Sequence, residues 1–149
     1  MESTYLIDTN VLIYAYNLDS PYHVKCREIV ENCMNGYVSS YIADKNLYEF
    51  MAVVTDKRRI EKPVGIEEVS EVIDSIENSQ IDIIYSSHFS LLKTLELVKK
   101  YDIKRQDIFD FVLVGIMLDH NINKIFTLNE EDFSMIEEIN IVNPINSNH

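Results

Sequence analysis

The chain between Tyr5 and Ile13 reads YLIDTNVLI, an apolar run interrupted by three polar residues. The residues before Asp8 predict a short buried strand, and Thr9 or Asn10 can begin a helix because their side chains accept hydrogen bonds from free backbone N–H groups. Asp8 then follows the carboxyl end of a strand, the edge of an open α/β sheet where ligands and active sites gather. Since an isolated Asp there is more often a simple helix N-cap, a functional role depends on other acids reaching the same edge.

Strands and helices alternate along the rest of the chain. Patterns of apolar residues predict further strands at 37–39, 81–84, 124–127 and 139–142, and helices at 11–16, 24–34, 42–55, 66–76, 89–100 and 107–120. This alternation predicts an α/β fold, a three-layer α/β/α sandwich around a mostly parallel sheet of about five strands. We expect residues 1–142 to form a single domain and residues 143–149 to fray, because the tail has little apolar surface to bury.

The formal net charge of −12 argues at first sight against a nucleic-acid partner. The basic residues are not evenly spread, however: of the 13 Lys and Arg residues, eight lie in residues 57–62 and 99–105. Many of the acids lie on the predicted wet face of the helix at 66–76. A second explanation of the acidic charge is a cluster of carboxylates that binds a divalent metal, which would reverse the local sign.

Cys26 and Cys33 lie seven residues apart in a helical pattern, so their backbones are separated by roughly 10 Å, beyond the reach of a disulfide. They predict reduced, buried thiols in a cytoplasmic protein. The amino terminus lacks the pattern of a signal peptide, and no apolar run approaches the ~20 residues that span a bilayer. We therefore expect a cytoplasmic protein with no membrane contact.

Glu49 lies among apolar and aromatic neighbours in the predicted helix at 42–55, with Leu47, Tyr48 and Phe50 assigned to its apolar side. An acid in this setting is poorly placed for solvation alone. The alternative is an exposed ion pair with Lys45, four residues earlier on the same helix. Spacing alone favours neither interpretation.

The predicted helix at 107–120 is apolar on all sides, which predicts a central position in the fold. Gly115 would allow another backbone to approach it closely. Asp107 and Asp110 stand at its start, three residues apart and on one face. A purely structural role is also open, with Asp107 as the N-cap and Asp110 as a stabilising acid in the first turn.

The candidate acids are expected to converge, because the carboxyl ends of parallel strands share one edge of a sheet. Asp8 follows the first strand, Asn129 and Asp132 follow the fourth, and Glu49 and Asp110 belong to neighbouring helices. Several carboxylates in one cleft cannot all stay ionised without a cation. Oxygen ligands without His or Cys favour Mg²⁺ or Mn²⁺, and such ions suit attack on a phosphodiester. The chemistry predicted from these residues is metal-assisted phosphoryl chemistry.

Four segments together resemble the PIN-domain family, which includes the VapC-type toxins of prokaryotic toxin–antitoxin pairs. In order, they are IDTNVLIYA at 7–15, LYEF at 47–50, IFDFVLVG at 108–115 and IFTLNEEDF at 125–133. Each motif is weak singly, whereas four in the right order and spacing are specific. The resemblance covers the chain from residue 4 to about residue 142.

The resemblance implies a nuclease that uses Mg²⁺ or Mn²⁺ to activate water and cut RNA. Asp8, Glu49 and Asp110 take the positions of the family's metal-binding, catalytic acids, and Thr9 and Asn10 would orient the first of them. An antitoxin protein is an implied partner. A homodimer is also implied, for which the apolar surfaces of the helices at 24–34 and 66–76 are candidates.

The last motif departs from the family's pattern. Its fourth acid usually follows the threonine, here Thr127, by two residues, and that position is Asn129. Asp107, Asp132 or a water could compensate for the neutral side chain. The alternative that this departure leaves open is a catalytically weakened or inactive module that binds RNA or a protein.

Basic residues in both stretches are candidate contacts for RNA phosphates, although solvated loops explain them equally well. The candidates are Arg58, Arg59, Lys104 and Arg105. A third function, a phosphatase with Asp8 as nucleophile, is disfavoured because it expects a second acid two residues later, where Asn10 stands.

Overall fold

Five short parallel strands form the centre of the protein in the computed structural model, which describes residues 3–146. The strands are β1 (Thr4–Ile7), β2 (Ser39–Ala43), β3 (Asp82–Ile84), β4 (Lys124–Phe126) and β5 (Asn140–Val142). They lie side by side in the order β3-β2-β1-β4-β5, and each neighbouring pair is parallel. The predicted parallel sheet of about five strands is confirmed.

Helices cover both faces of this sheet. They are α1 (Thr9–Tyr16), α2 (His23–Met34), α3 (Asp44–Val54), α4 (Ile66–Glu77), α5 (His88–Tyr101), α6 (Ile108–Asp119) and α7 (Glu130–Phe133), with a 3₁₀ turn at Arg105–Asp107 before α6. The first four pack with Ile7 and Ile42 in one core, and the last three pack with Leu6 and Ile125 in the other. Because successive strand residues point to opposite faces, β1 contributes to both cores, and the predicted three-layer sandwich is confirmed.

The strand order places β1 at the centre of the sheet, between β2 and β4. From β3 at one edge, the chain crosses to the other side of β1 before it forms β4. This reversal is a topological switch point, where open α/β sheets have a crevice beyond the carboxyl ends of their strands. Asp8 lies at this crevice, where its backbone N–H donates to the Phe126 carbonyl at the end of β4 over 3.0 Å.

The second strand differs from its predicted position. It spans Ser39–Ala43 rather than 37–39, so Ile42 and Ala43 belong to β2 and not to the following helix. Ile42 is buried in one core and Ala43 in the other. A parallel strand that is buried on both faces lacks alternation of polar and apolar residues, and periodicity cannot separate it from the start of a buried helix.

Most of the large apolar residues that predicted helix α5 are exposed, and the helix buries a different side. Its buried side carries Ser90, Thr94 and Leu97, because α5 packs closely on α6 at Gly115. A Cβ atom on Gly115 would lie 2.1 Å from Thr94 Oγ1 and 2.8 Å from the Ser90 carbonyl, which confirms the close approach predicted there. The large apolar residues left exposed on α5 are Phe89, Leu91, Leu92 and Leu95.

Several smaller expectations are also settled. Cys26 and Cys33 are free and buried, and burial raises the pKa of each thiol to about 11. The expected fraying does not hold for Asn143 and Pro144, which are buried, while Ser147 to His149 lie outside the described residues. No helix within residues 3–146 has the length and apolar character needed to cross a membrane.

Candidate active site

Asp8 lies at the junction of β1 and α1, and only 7% of its surface is exposed. It caps α1, since Thr9 N–H donates to its Oδ1 atom over 2.8 Å. Asn46 Nδ2 donates to the same oxygen over 3.4 Å. Its Oδ2 atom accepts from Thr127 Oγ1 at 2.8 Å and from Asn10 Nδ2 at 3.3 Å. Asp8 is therefore both the N-cap of α1 and a carboxylate at the carboxyl edge of the sheet.

Burial raises the pKa of Asp8 above its usual range, although the hydrogen bonds from Thr127 and Thr9 oppose that rise. The donors are themselves fixed in place. Asn46 is fully buried, and its Oδ1 atom accepts from the Ala43 N–H at 3.1 Å, which anchors it to the end of β2. Asn46 thus links the start of α3 to Asp8. The one signal of this role in the sequence is that an amide side chain stands three residues after a strand.

Thr127 links Asp8 to the end of β4, as Asn46 links it to the end of β2. Besides donating to Asp8, its hydroxyl accepts from Asn10 Nδ2 at 3.2 Å and from the Asn129 N–H at 3.0 Å. Asn10 Oδ1 accepts in turn from the Leu128 N–H at 3.1 Å. Side chains from the ends of three neighbouring strands are thereby tied to one carboxylate.

Glu49 lies on α3, with 46% of its side chain exposed. One carboxylate oxygen accepts from Thr9 Oγ1 at 3.1 Å, and the other forms an ion pair with Lys45 on the preceding turn. The ion pair is the second of the two interpretations that the spacing allowed. Tyr48, which we assigned to the apolar side of this helix, is 63% exposed, so that assignment is wrong. The helix face on which Tyr48 lies turns away from the core.

Asp110 lies in the first turn of α6 and is half-buried. Among the described residues, no hydrogen-bond donor contacts its carboxylate. Burial raises its pKa to about 6, and the negative charge of Asp132 is the next largest cause, with smaller contributions from Asp8 and Asp107. Lys45 partly opposes the rise. Asp110 and Asp132 thus repel each other across the cleft, and Lys45 is the cation closest to balancing them.

A cleft of about 240 Å³ collects these groups at the switch point of the sheet. Its charged and polar lining residues include Asp8, Glu49, Asp110, Asn129, Asp132, Lys45 and Arg59, and Phe109 forms part of its wall. Thr9 and Asn10 also line it, whereas Thr127 acts from behind Asp8. Most of the acids singled out in the sequence therefore face one space.

Four of the sequence candidates lie elsewhere. Asp107 ends the 3₁₀ turn and occupies the N-cap position of α6, as the structural alternative expected, although its side chain makes no capping hydrogen bond. Arg58 is paired with Asp56 at 3.1 Å. Lys104 lies 3.7 Å from Asp102, and Arg105 is exposed. None of Asp107, Arg58, Lys104 and Arg105 lines the cleft.

Within residues 3–146, no three His, Cys, Asp or Glu side chains are close enough together to form a ready metal cluster. The donor chemistry nevertheless fits a hard divalent cation. Among the described residues the Asp110 carboxylate has no hydrogen-bond donor, and Mg²⁺ is commonly bound through one or two carboxylates while water and phosphate oxygens complete its coordination. A cation would also offset both causes of the raised pKa of Asp110, the burial of its charge and the repulsion from Asp132.

Besides Asn46, the sequence pattern gave no role in the cleft to Lys45 and Phe109, which both line it. Lys45 was considered only as a partner of Glu49, whereas its charge also acts on Asp8 and Asp110. Phe109 was assigned no role. The sequence places Phe109 directly beside Asp110, which indicates a position near the site. The helix is so apolar, however, that its pattern predicts a core position for every aromatic residue in it.

Comparison with known proteins agrees with this architecture. The family model for the PIN domain matches residues 5–139. No curated protein matches the chain. Similar solved structures include VapBC2 from Rickettsia felis bound to a promoter DNA fragment, with 19% identity, coverage of 94% of this chain and 98% of that chain, and a TM-score of 0.64.

Two further structures share the fold. A toxin–antitoxin complex from Klebsiella pneumoniae has 19% identity, coverage of 93% and 96%, and a TM-score of 0.62. VapC20 from Mycobacterium tuberculosis, described as a toxin that cleaves the sarcin-ricin loop, has 10% identity, coverage of 89% and 95%, and a TM-score of 0.65. At these identities the likeness concerns the fold, and the family model, which spans nearly the whole chain, decides the membership. This chain belongs to the PIN-domain family.

Proposed function

We propose that this protein is a divalent-metal-dependent endoribonuclease that hydrolyses RNA phosphodiester bonds. The observation that carries the proposal is the cleft at the switch point, which gathers Asp8, Glu49, Asp110 and Asp132 from four parts of the chain. Asp8, Glu49 and Asp110 are its metal-binding, catalytic acids, and residues 1–142 act as a single nuclease domain. Nucleases of this family generally use divalent metals, which supports the same assignment.

Mg²⁺ or Mn²⁺ is the proposed cofactor, because the cleft offers carboxylate oxygens and no His or Cys. When bound, the ion would lower the pKa of a water molecule and neutralise charge on the phosphate. Asp8 is presented to it in one fixed orientation by Thr9, Asn10 and Thr127. Asp132, rather than Asp107, is the acid that compensates for Asn129, since Asp132 lines the cleft and acts more strongly on Asp110.

We also propose that the protein is the toxin of a toxin–antitoxin pair. The support is that the similar structures include complexes of VapC-type toxins with their antitoxins, and that VapC20 is described as a toxin that cleaves the sarcin-ricin loop. An antitoxin and RNA are therefore its proposed partners. A small neighbouring gene for a DNA-binding protein would strengthen this part of the proposal.

A homodimer completes the proposal. The helices α2 and α4, from which we expected dimer contacts, each expose one large apolar residue, Val24 and Ile66. More apolar surface is exposed on α5, which therefore supports self-association better than α2 or α4 does. The molecular mass in solution measured by light scattering, before and after Leu92→Lys on α5, tests which surface is used.

The experiment that tests the nuclease is cleavage of a pool of structured RNAs with Mn²⁺, Mg²⁺ or EDTA. We expect metal-dependent cutting by the native chain and its loss in Asp8→Asn and Asp110→Asn. Glu131→Gln is the matched control, because Glu131 is an exposed acid beside Asp132 that does not line the cleft. Cutting that persists in both site variants, or that is lost in the control, would contradict the assignment.

Asn129 favours one alternative, a module that keeps the fold and binds RNA or protein without cutting. This neutral residue lines the cleft where the family's pattern has an acid. Folded, metal-loaded protein that cuts none of the RNAs would support the alternative. Asn129→Asp is then the variant to test, since a gain of cleavage would identify the missing acid as the cause.

A further inference from the structure

Phe109 has an unusual position for a large apolar side chain. It is 56% exposed, although the residues that follow Asp110 on α6 are almost all buried. It also forms part of the wall of the cleft, directly beside Asp110. An exposed phenyl ring next to a charged site is positioned for a flat, apolar partner, and a nucleobase offers such a face.

Arg59 lines the same cleft, and among the described residues its guanidinium forms no ion pair. Within residues 3–146, no carboxylate lies within 4.0 Å of it, and its effect on Asp56 is a longer-range attraction. Two of its neighbours in the basic stretch form ion pairs, and the third, Lys57, does not line the cleft. Arg58 pairs with Asp56, and Lys62 lies 3.9 Å from Asp19. The Arg59 backbone N–H donates to the Asp56 carbonyl over 3.0 Å, which holds the turn that carries it beside the cleft.

Charge explains why one unpaired cation matters here. A cleft lined by four acids repels a phosphate backbone, and Lys45 is already engaged with Glu49. Arg59 is left to hold a phosphate oxygen, through the charge-assisted contacts that a guanidinium makes well. A ring and a guanidinium on one cleft then provide the two contacts that a single nucleotide needs, one for its base and one for its phosphate.

Building on the proposed ribonuclease function, we propose that Phe109 and Arg59 select an unpaired nucleotide next to the scissile bond, with its base stacked on Phe109 and a phosphate held by Arg59. A base inside a duplex is already stacked on both faces and has none left for Phe109. The substrate class is therefore RNA whose target nucleotide is unpaired, in a single strand or a loop. Phe109 and Arg59 position the substrate and take no part in the chemical step.

Binding without cleavage tests this inference separately from the nuclease. A single-stranded RNA heptamer containing 2-aminopurine is titrated with the full chain in EDTA at low salt, and both fluorescence quenching and anisotropy are recorded. We expect Phe109→Ala to weaken binding by roughly five- to a hundredfold and to remove the quenching, and Phe109→Trp to restore both. Tyr37→Ala is the control, because Tyr37 is an exposed aromatic residue that precedes β2, at the opposite edge of the sheet from the cleft.

Arg59→Ala should weaken binding of every heptamer sequence and reduce the slope of log affinity against log salt concentration by about 0.7, the value for one phosphate contact on a single strand. Arg58→Ala is its matched control, since Arg58 is the adjacent arginine and is paired with Asp56. All four positions are exposed, so unchanged thermal unfolding is expected and is checked by circular dichroism.

Equal effects of a site variant and its control would overturn the proposal. So would a fully paired duplex that binds as tightly as the heptamer, or the absence of any measurable binding. If the selective effects of Phe109 and Arg59 are found but the native chain cuts no RNA with metal, the recognition pair stands and the nuclease function fails.

Discussion

Asp8 and Asp110 line the same cleft, yet their surroundings are opposite. Asp8 is buried and accepts hydrogen bonds from Thr9, Asn10, Asn46 and Thr127. Asp110 is more exposed and has no donor among the described residues, and burial together with the negative charge of Asp132 raises its pKa to about 6. One carboxylate is fixed by hydrogen bonds, and the other lies near like charges that Lys45 partly balances.

This difference shows how the fold divides two tasks between two acids. The hydrogen bonds fix the orientation of Asp8 before anything binds, which is what a precise site requires of its supporting residues. Asp110 keeps its lone pairs free, at a cost to stability that a bound cation would remove. Conflicts of this kind are expected at functional positions, because a residue kept free for a ligand cannot also be satisfied by the protein.

The largest expected effect concerns Asp8, the acid that is fixed by hydrogen bonds. Asp8→Ala should lower the free energy of unfolding by about 3–5 kcal/mol, because it leaves buried donors without their acceptor. Asp110→Ala should not lower it in metal-free protein, since it removes a repulsive charge and no hydrogen bond. Urea unfolding in EDTA measures both, and equal losses in the two variants would show that the contrast between the acids is wrong.

A smaller loss is expected when one donor is removed. Thr127→Val keeps the shape of the side chain but removes the hydroxyl that serves Asp8, Asn10 and the Asn129 N–H. We expect a decrease in unfolding free energy of about 1–3 kcal/mol. Thr127→Ser retains the hydroxyl and should lose clearly less, so a Ser variant as unstable as the Val variant would assign the effect to packing instead.

The pH dependence of stability tests the environment of Asp110. The pKa of Asp110 is about 6 in the folded protein and near the ordinary 3.8 in the unfolded chain, so the folded state binds more protons between these values. The contribution of Asp110 to stability is therefore greatest below about pH 4 and falls as pH rises to about 6. Urea midpoints across this range should fall less in Asp110→Asn than in the native chain, and parallel curves would contradict the prediction.

The smallest expected effect concerns Lys45. Burial and Asp132 raise the pKa of Asp110, and Lys45 opposes that rise, so Lys45→Met should raise this pKa further. Its cost in stability should be below about 1 kcal/mol, as for other partly exposed ion pairs on helices. The carboxyl resonance of Asp110 in an NMR titration reports the shift. Arg27→Met removes the comparable Arg27–Glu31 pair on α2 and should leave the pKa of Asp110 unchanged.

Local patterns were enough to predict the class of fold and the outline of the site. The stretch from Tyr5 to Ile13 contains a strand, an acid and a helix start within nine residues, and all three depend on near neighbours. The same holds for Gly115, whose place in an apolar helix implied close packing. Local patterns failed where two structures share one pattern, as at Ile42 and Ala43, where a doubly buried strand looks like a helix.

Tertiary structure decided how each acid is treated and which side chains accompany them. Asp8 and Thr127 are 119 residues apart in sequence but form a 2.8 Å hydrogen bond, because β1 and β4 become neighbours in the sheet. Arg58 and Arg59 are indistinguishable in sequence, and only the turn that follows α3 pairs one and leaves the other on the cleft. The sequence by itself determined the elements and their order, since these follow from short-range periodicity and turn chemistry. The environment of each charge was decided by contacts between distant segments, which no local pattern encodes.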